Sequence, residues 1–184
     1  VLKPSPENVD SMACFSRYLA RMDLPAGAVN LILGGRNLGD HLVRNDVFRK
    51  VSFTGSSASG LAVAQLCAQR FARVTLELGG KSSAILLDDV DFTEVKNQLW
   101  LAMLQNNGQV CGAQSRVLIP RSRAPELRAA LREMFEETVV GDPRSSETEV
   151  GPVVTAAAAN RIRNTCTESA NQGAVLDSGT REES

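Results

Sequence analysis

Helical and strand patterns alternate along the first half of this chain. Apolar residues recur at three- and four-residue steps from about residue 7 to 22, which predicts an amphipathic helix. Further helices are predicted over 38–44 and 57–71, and β-rich runs cover 29–33, 50–53 and 73–78. Strands that alternate with helices are typical of a parallel sheet with covering helices. The sequence therefore predicts an α/β fold.

The sequence pattern changes after Gly79-Gly80, which predicts a boundary between one part over residues 1–79 and another over residues 80–184. Asp91 and Glu94 fit a capping box at the start of a helix that ends near residues 106–108. Strands are predicted over 82–87 and 115–119, and helices over 124–138 and 155–172. The polar residues 178–184 are predicted to fray.

Composition restricts the class of partner. The chain has 184 residues, and its 20 Lys and Arg against 21 Asp and Glu leave a net charge of −1, so we expect no nucleic acid and no membrane partner. Its apolar runs are shorter than the ~20 residues of a membrane span. The chain begins at Val1 without a signal region. We expect a cytoplasmic protein that binds a small molecule.

Four cysteines lie far apart in the sequence, at Cys14, Cys67, Cys111 and Cys166. Their spacing fits neither a paired metal site nor a disulfide scaffold, so we predict free thiols and no metal site. Cys111 differs from an ordinary buried cysteine because it follows a glycine and polar residues rather than an apolar periodic run. We therefore expect Cys111 in a loop, where a thiol is able to react.

Two segments carry a resemblance to a known family. Asn106–Cys111 reads NNGQVC, and Leu76–Lys81 reads LELGGK. Together they resemble the active-site signature of the aldehyde dehydrogenases. The resemblance implies that Cys111 attacks the aldehyde and that Glu77 activates the water that later releases the acid.

Further segments resemble the cofactor site of the same family. Phe53–Ser56 reads FTGS between a predicted strand and helix, and the resemblance makes Gly55 and Ser56 candidates to hold the pyrophosphate of NAD. Lys3–Ser5 resembles the start of a KPSE segment, which implies that Lys3 binds the adenosine ribose. Gly35, and Leu78 and Gly79 of the LELGGK segment, complete the predicted cofactor-binding residues, together with Ser5.

One departure from the family pattern concerns cofactor choice. Pro6 stands where many members have a glutamate that binds the ribose hydroxyls, while Glu7 follows one position later. Without that carboxylate, which would repel a 2′-phosphate, the resemblance leaves the choice between NAD and NADP open.

The resemblance implies a Rossmann-like cofactor-binding part over residues 1–79, followed by the start of an α/β catalytic domain over 80–184, incomplete at both ends. We expect a central fragment of a longer NAD(P)-dependent enzyme that is a homodimer or homotetramer. The expected reaction is oxidation of an aldehyde to a carboxylic acid through a thiohemiacetal and a thioester on Cys111. The resemblance places an oxyanion asparagine before Val1, so we expect the fragment alone to be inactive.

Several alternatives stay open from the sequence. A coenzyme-A-acylating relative would keep the fold and pass the thioester to a thiol, and a non-catalytic relative would serve in binding or structure. The single histidine, His41, leaves a cysteine–histidine hydrolase as a further reading. A phosphate-binding P-loop ending at Gly79–Ser82 would need a glycine where Thr75 stands, so a nucleotide triphosphatase is disfavoured.

Overall fold

A computed structural model describes residues 1–177, and the predicted fraying of residues 178–184 lies outside this range. The chain divides into two compact units, Val1–Leu78 and a second unit that begins at Gly79. The predicted α/β class is confirmed, since helices and parallel strands occur in both units.

The first unit is built around one pair of parallel strands. Strand β1 (Lys50–Gly55) pairs with β2 (Arg73–Leu78), and helix α3 (Ser57–Ala68) connects them. Helices α1 (Val9–Leu19) and α2 (Arg36–Arg44) precede this βαβ unit. The register places Gly55 opposite Leu78, so both strands end at the same edge. A parallel pair needs such a crossover, because the chain must return to the starting end before the second strand.

The strand predicted over residues 29–33 is reduced to a single parallel bridge between Leu2 and Leu31. The N–H of Leu2 donates to the carbonyl of Asn30 at 2.7 Å, and the N–H of Ile32 donates to the carbonyl of Leu2 at 2.9 Å. Pro4 then lacks the N–H that a continuing ladder would need. The prediction of a full strand was wrong because its partner is so short.

Helix α3 ends three residues earlier than the apolar pattern predicts. Phe71 adopts a left-handed φ of 54°, and the N–H of Ala72 returns to the carbonyl of Cys67 at 3.0 Å. This six-to-one hydrogen bond is the usual way in which a left-handed residue closes a helix. The turn sends the chain directly into β2.

The second unit contains another parallel pair, β3 (Ser83–Ile85) with β4 (Arg116–Leu118), and three helices. These are α4 (Phe92–Leu104), α5 (Ala124–Glu137) and α6 (Ala156–Asn171). Its core joins one strand to two helices through buried apolar residues, namely Ala84, Leu99, Leu127 and Met134. Both strands are shorter than predicted. The Asp91 carboxylate caps α4 by accepting the N–H of Thr93 at 2.8 Å.

Polar contacts also join α4 to α5. The indole N–H of Trp100 donates to the hydroxyl oxygen of Thr138 at 2.9 Å, and that hydroxyl donates to the carbonyl of Met134 at 2.7 Å. Thr138 is buried, with 4% of its surface exposed. Nearby, the Lys96 ammonium lies 3.0 Å from Glu133 and 2.5 Å from Glu137. Because both glutamates are exposed, the shielded Trp100–Thr138 hydrogen bond is the stronger constraint.

We predict that Thr138→Val destabilises the protein by about 1–3 kcal/mol, because the partly buried indole N–H of Trp100 would lose its acceptor. Trp100 is the only tryptophan, so its fluorescence during urea unfolding reports on this contact. Thr138→Ser is the matched control, since it keeps the hydroxyl. Equal stability of the Val and Ser variants would contradict the assigned role of the hydrogen bond.

Candidate functional site: a cleft and a cysteine loop

The first unit contains a cleft of about 840 Å³ between the N-terminal segment, α2, β1 and α3. Its wall carries charged groups from Lys3, Glu7, Arg36, Asp40 and Lys50. Apolar side chains of β1 and α3 line the remainder, including Val51, Phe53, Val63 and Leu66. A cleft that combines an apolar floor with a few charged groups suits a small polar ligand.

Lys3 lies at this cleft, and its ammonium group already donates two hydrogen bonds to backbone carbonyls. Nζ donates to the carbonyl of Pro4 at 2.7 Å and to the carbonyl of Gly34 at 2.9 Å. An ammonium has three N–H donors, so these two contacts leave one for a ligand. A methyl group added at Gly39 would lie 3.4 Å from the Lys3 side chain, so the lysine stem passes close to α2. Lys3 thus ties the N-terminal segment to the Gly34 turn.

Ser5 and Glu7 also line the cleft, and they contact each other. The Ser5 hydroxyl donates to the Glu7 carboxylate. This hydrogen bond lowers the pKa of Glu7 below its ordinary value, and the positive charge of Lys3 lowers it further. Glu7 is therefore ionised at neutral pH. A carboxylate one position after Pro6 is thereby available to accept hydrogen bonds from a ligand's hydroxyl groups.

The turn from β1 to α3 contains Gly55 and Ser56. The Ser56 side chain caps α3 by accepting the N–H of Ser59 at 3.3 Å. A methyl group on Gly55 would lie 2.6 Å from the ring of Phe53, and one on Gly60 would lie 2.5 Å from Leu78. These glycines permit close packing at the N-terminus of α3, the end of a helix that attracts anions.

The predicted cofactor residues do not all lie on the cleft wall. Lys3 and Ser5 belong to the lining, as do Thr54 near the end of β1 and Ser59 in the first turn of α3. Gly35 is the N-cap residue of α2, while Gly55 is the last residue of β1 and Ser56 is the N-cap residue of α3. Sequence reasoning missed Ser59 and Arg36, although Ser59 stands at the predicted helix start and Arg36 follows the Gly34-Gly35 pair.

Glu77 and Leu78 lie at the carboxyl end of β2. Glu77 is exposed and stands in register with Thr54 of β1. Leu78 pairs with Gly55 and directs its side chain towards Gly60 of α3, so it has a clear packing role. Carboxyl ends of parallel strands are where open α/β sheets place their ligands.

In the second unit Cys111 is exposed on a loop, as predicted from its polar surroundings. The loop follows a short turn, Gln105–Gly108, in which Asn106, Asn107 and Gly108 have φ values of 52°, 57° and 70°. Three consecutive left-handed residues are unusual, because this conformation crowds a side chain against the backbone. Asparagine and glycine tolerate it best.

The cysteine loop contacts two other segments of the second unit. A methyl group on Gly80 would lie 3.6 Å from the carbonyl oxygen of Cys111, so the end of the LELGGK segment adjoins the cysteine. On another side, the Asn107 amide hydrogen-bonds the backbone of Gly151 and Pro152. The sequence did not predict these contacts of Asn107, although an Asn before Gly is a recognised signal for left-handed backbone.

A cavity of about 180 Å³ lies beside this loop. Its lining is uncharged and consists of Ala102, Gln105, Val110, Gly112, Ala113 and Gln114. Val110 and Gly112 flank Cys111 in the sequence. The cavity next to these two residues therefore offers apolar contacts and amide hydrogen bonds rather than a charged partner.

Residues 1–177 contain neither a candidate metal site nor a candidate membrane span. No cluster of three or more His, Cys, Asp or Glu there is arranged to hold a metal ion. Over the same residues, no helix combines the length and apolar character required to cross a membrane. Cys14, Cys111 and Cys166 are exposed free thiols, whereas Cys67 is buried.

Comparison with known proteins identifies the origin of this arrangement. The sequence profile described as the aldehyde dehydrogenase family matches residues 1–184. The chain belongs to the aldehyde dehydrogenase family. A candidate aldehyde dehydrogenase of Staphylococcus epidermidis is 37% identical over 177 residues, which cover 96% of this chain and 37% of that protein. The chain thus spans about 37% of the length of such relatives.

Solved structures of aldehyde dehydrogenases have the same fold over this segment. An enzyme from Bacillus cereus is 32% identical with a TM-score of 0.93, covering 100% of this chain and 38% of that one. An aldehyde dehydrogenase of Mycobacterium tuberculosis, solved with NAD+, is 34% identical with a TM-score of 0.93, covering 99% and 38%. The arrangement of helices and strands is therefore that of an aldehyde dehydrogenase segment.

Proposed function

We propose that the complete protein oxidises an aldehyde to a carboxylic acid with NAD, using Cys111 as the nucleophile. The observation that carries this proposal is the exposed Cys111 thiol on a loop that follows three left-handed residues and whose backbone lies next to Gly80. We assign residues 1–79 to cofactor binding and residues 80–184 to catalysis. The cytoplasmic location and the homodimeric or homotetrameric state also remain predictions.

The reaction begins when the sulfur of Cys111 adds to the aldehyde carbon, which gives a thiohemiacetal whose oxygen carries the developing negative charge. The backbone N–H of Cys111 is assigned as one donor to that oxygen. The chemistry that NAD would supply when bound is acceptance of the hydride that the thiohemiacetal releases. Cys111 then holds the acyl group as a thioester. Glu77 removes a proton from the water that attacks the thioester, and the acid leaves as the thiolate is restored.

The residues around the cleft fit the adenosine and pyrophosphate portions of NAD. The remaining donor of Lys3 and the ionised carboxylate of Glu7 are suited to ribose hydroxyls, and Ser5 adds a hydroxyl between them. The N-terminus of α3, with Gly55 and Ser56, is suited to a pyrophosphate. Solved relatives such as the Mycobacterium tuberculosis enzyme hold NAD+.

Three further glycine-rich or strand-end positions belong to the proposed cofactor site. Gly35 precedes α2, Leu78 ends β2 and Gly79 follows it. A methyl group on Gly35 or Gly79 would meet no atom within 4 Å. Open space at such backbone positions lets a ligand approach the N–H groups closely. Leu78 would contribute its backbone, because its side chain packs towards Gly60.

We predict that Cys111→Ser abolishes NADH formation, whereas Glu77→Gln keeps one rapid turnover and then slows. In the second variant the thioester still forms, but hydrolysis falls by roughly 10²–10⁴-fold, because the general base is lost. Stopped-flow absorbance of NADH in the complete protein separates the two steps. Cys166→Ser, which removes another exposed thiol, is the matched control. Normal steady-state turnover in either of these two variants would show that the substituted residue does not have its assigned role.

The same assay separates the competing functions. A coenzyme-A-acylating enzyme would form acyl-coenzyme A at a rate that the Glu77→Gln change leaves intact, whereas a hydrolytic enzyme depends on Glu77. A non-catalytic relative would give no burst of NADH even in the unaltered protein. Glu77 at the end of β2 favours the hydrolytic function.

Glu7 provides a test of cofactor choice. The 2′-phosphate of NADP would bring negative charge next to its ionised carboxylate, so we predict that Glu7→Gln raises the kcat/KM ratio of NADP to NAD roughly fivefold, as expected for one charge pair near water. Glu149→Gln, far along the sequence in the second unit, is the control. An unchanged ratio in Glu7→Gln would show that Glu7 does not set the preference.

A further inference from the structure

We propose that Asn107 is a positioning residue that anchors the cysteine loop to the segment Gly151–Val154. This inference rests on the proposed role of Cys111 as nucleophile. The side-chain Oδ1 of Asn107 accepts the N–H of Gly151 at 2.9 Å, and its Nδ2 donates to the carbonyl of Pro152 at 3.1 Å. One amide therefore binds two consecutive residues of another segment.

The chemistry of this contact is specific to asparagine. A carboxamide carries one acceptor and one donor side by side, and here each faces the complementary backbone group, so a flipped amide would lose both hydrogen bonds. An aspartate of the same size keeps the acceptor but loses the donor. Asparagine also tolerates the left-handed backbone that residue 107 adopts, with φ of 57°. Both the side chain and the backbone thus account for the residue type.

Gln109 strengthens the anchor from the other side of Gly108. Its Oε1 accepts the N–H of Val154 at 3.2 Å. Asn107 and Gln109 together bind backbone groups of three residues in a segment more than 40 positions later in the sequence. Asn106 differs, because its Nδ2 donates at 3.3 Å to the carbonyl of Gln109 within the loop itself.

The anchor matters because Cys111 lies only four residues after Asn107, on a loop outside strands β3 and β4. A displacement of about 1 Å between reacting atoms is able to reduce a catalysed rate by 10²-fold. The hydrogen bonds made by the left-handed turn therefore fix the position of the Cys111 sulfur and leave the thiol itself free to react. The Gly151–Val154 segment acquires a role in catalysis without touching substrate.

The test uses the complete protein with Asn107→Gly, Asn107→Asp and the control Asn106→Gly. Glycine keeps the left-handed backbone, so Asn107→Gly removes only the side-chain bonds. We expect kcat to fall roughly 10–100-fold in Asn107→Gly, with the KM for NAD changed less than about twofold, because cofactor binding is untouched. The kcat of Asn107→Asp should fall by a similar factor, since an aspartate cannot donate a hydrogen bond to the carbonyl of Pro152. The kcat of Asn106→Gly should fall by a clearly smaller factor.

Amide hydrogen exchange provides a readout that is independent of turnover. Exchange in Asn107→Gly should rise within residues 106–112 and 151–154, with the melting temperature nearly unchanged. Exchange that rises throughout the protein would instead make Asn107 a general stabiliser and overturn the proposal. A kcat in Asn107→Gly equal to that of the unaltered protein, or an equal loss in Asn106→Gly, would overturn it too.

These outcomes are distinct from failure of the proposed function. If Cys111→Ser stays active, the nucleophile has been misassigned and the positioning role falls with it. If Cys111→Ser is inactive while Asn107→Gly keeps full kcat, the proposed function stands and only the anchor is refuted.

Discussion

Parallel pairing of β1 with β2 is the constraint on which the first unit depends. Because a parallel partner is reached only through a crossover, α3 must lie between the strands in sequence and both strands must end at the same edge. Gly55 is thereby set opposite Leu78. The turn that starts α3 and the end of β2 thus share one edge, and the glycines there allow the close packing that this geometry demands.

The second unit relies on a different device to place its reactive group. The cysteine loop follows three left-handed residues, and side-chain amides of Asn107 and Gln109 bind backbone groups of a distant segment. Such a loop needs polar residues that hydrogen-bond locally and also tolerate an uncommon backbone. The asparagine and glutamine residues of this polar stretch therefore determine where Cys111 lies.

Lys3 and Glu7 show how a predicted role acquires physical detail. Two of the three donors of Lys3 bind carbonyl groups, one of them in the Gly34 turn, so the lysine stabilises the fold as well as facing the cleft. Glu7 was suggested by a departure from the family pattern at Pro6. The hydrogen bond from Ser5, which lowers the pKa of Glu7, is a property of the local conformation and has no signal in the residue order alone.

Local patterns in the sequence determined the helices, the α/β class and the exposure of Cys111, because hydrophobic spacing and glycine, proline and asparagine positions act over a few residues. They also predicted too long a strand over residues 29–33, since a strand extends only as far as its hydrogen-bonded partner does. The tertiary structure alone decided which segments meet. Asn107 reaches Gly151 and Pro152, and Trp100 reaches Thr138, across separations that no short-range periodicity encodes. Such contacts depend on how the folded elements pack, because each needs a donor and an acceptor brought within about 3 Å of each other from distant parts of the chain.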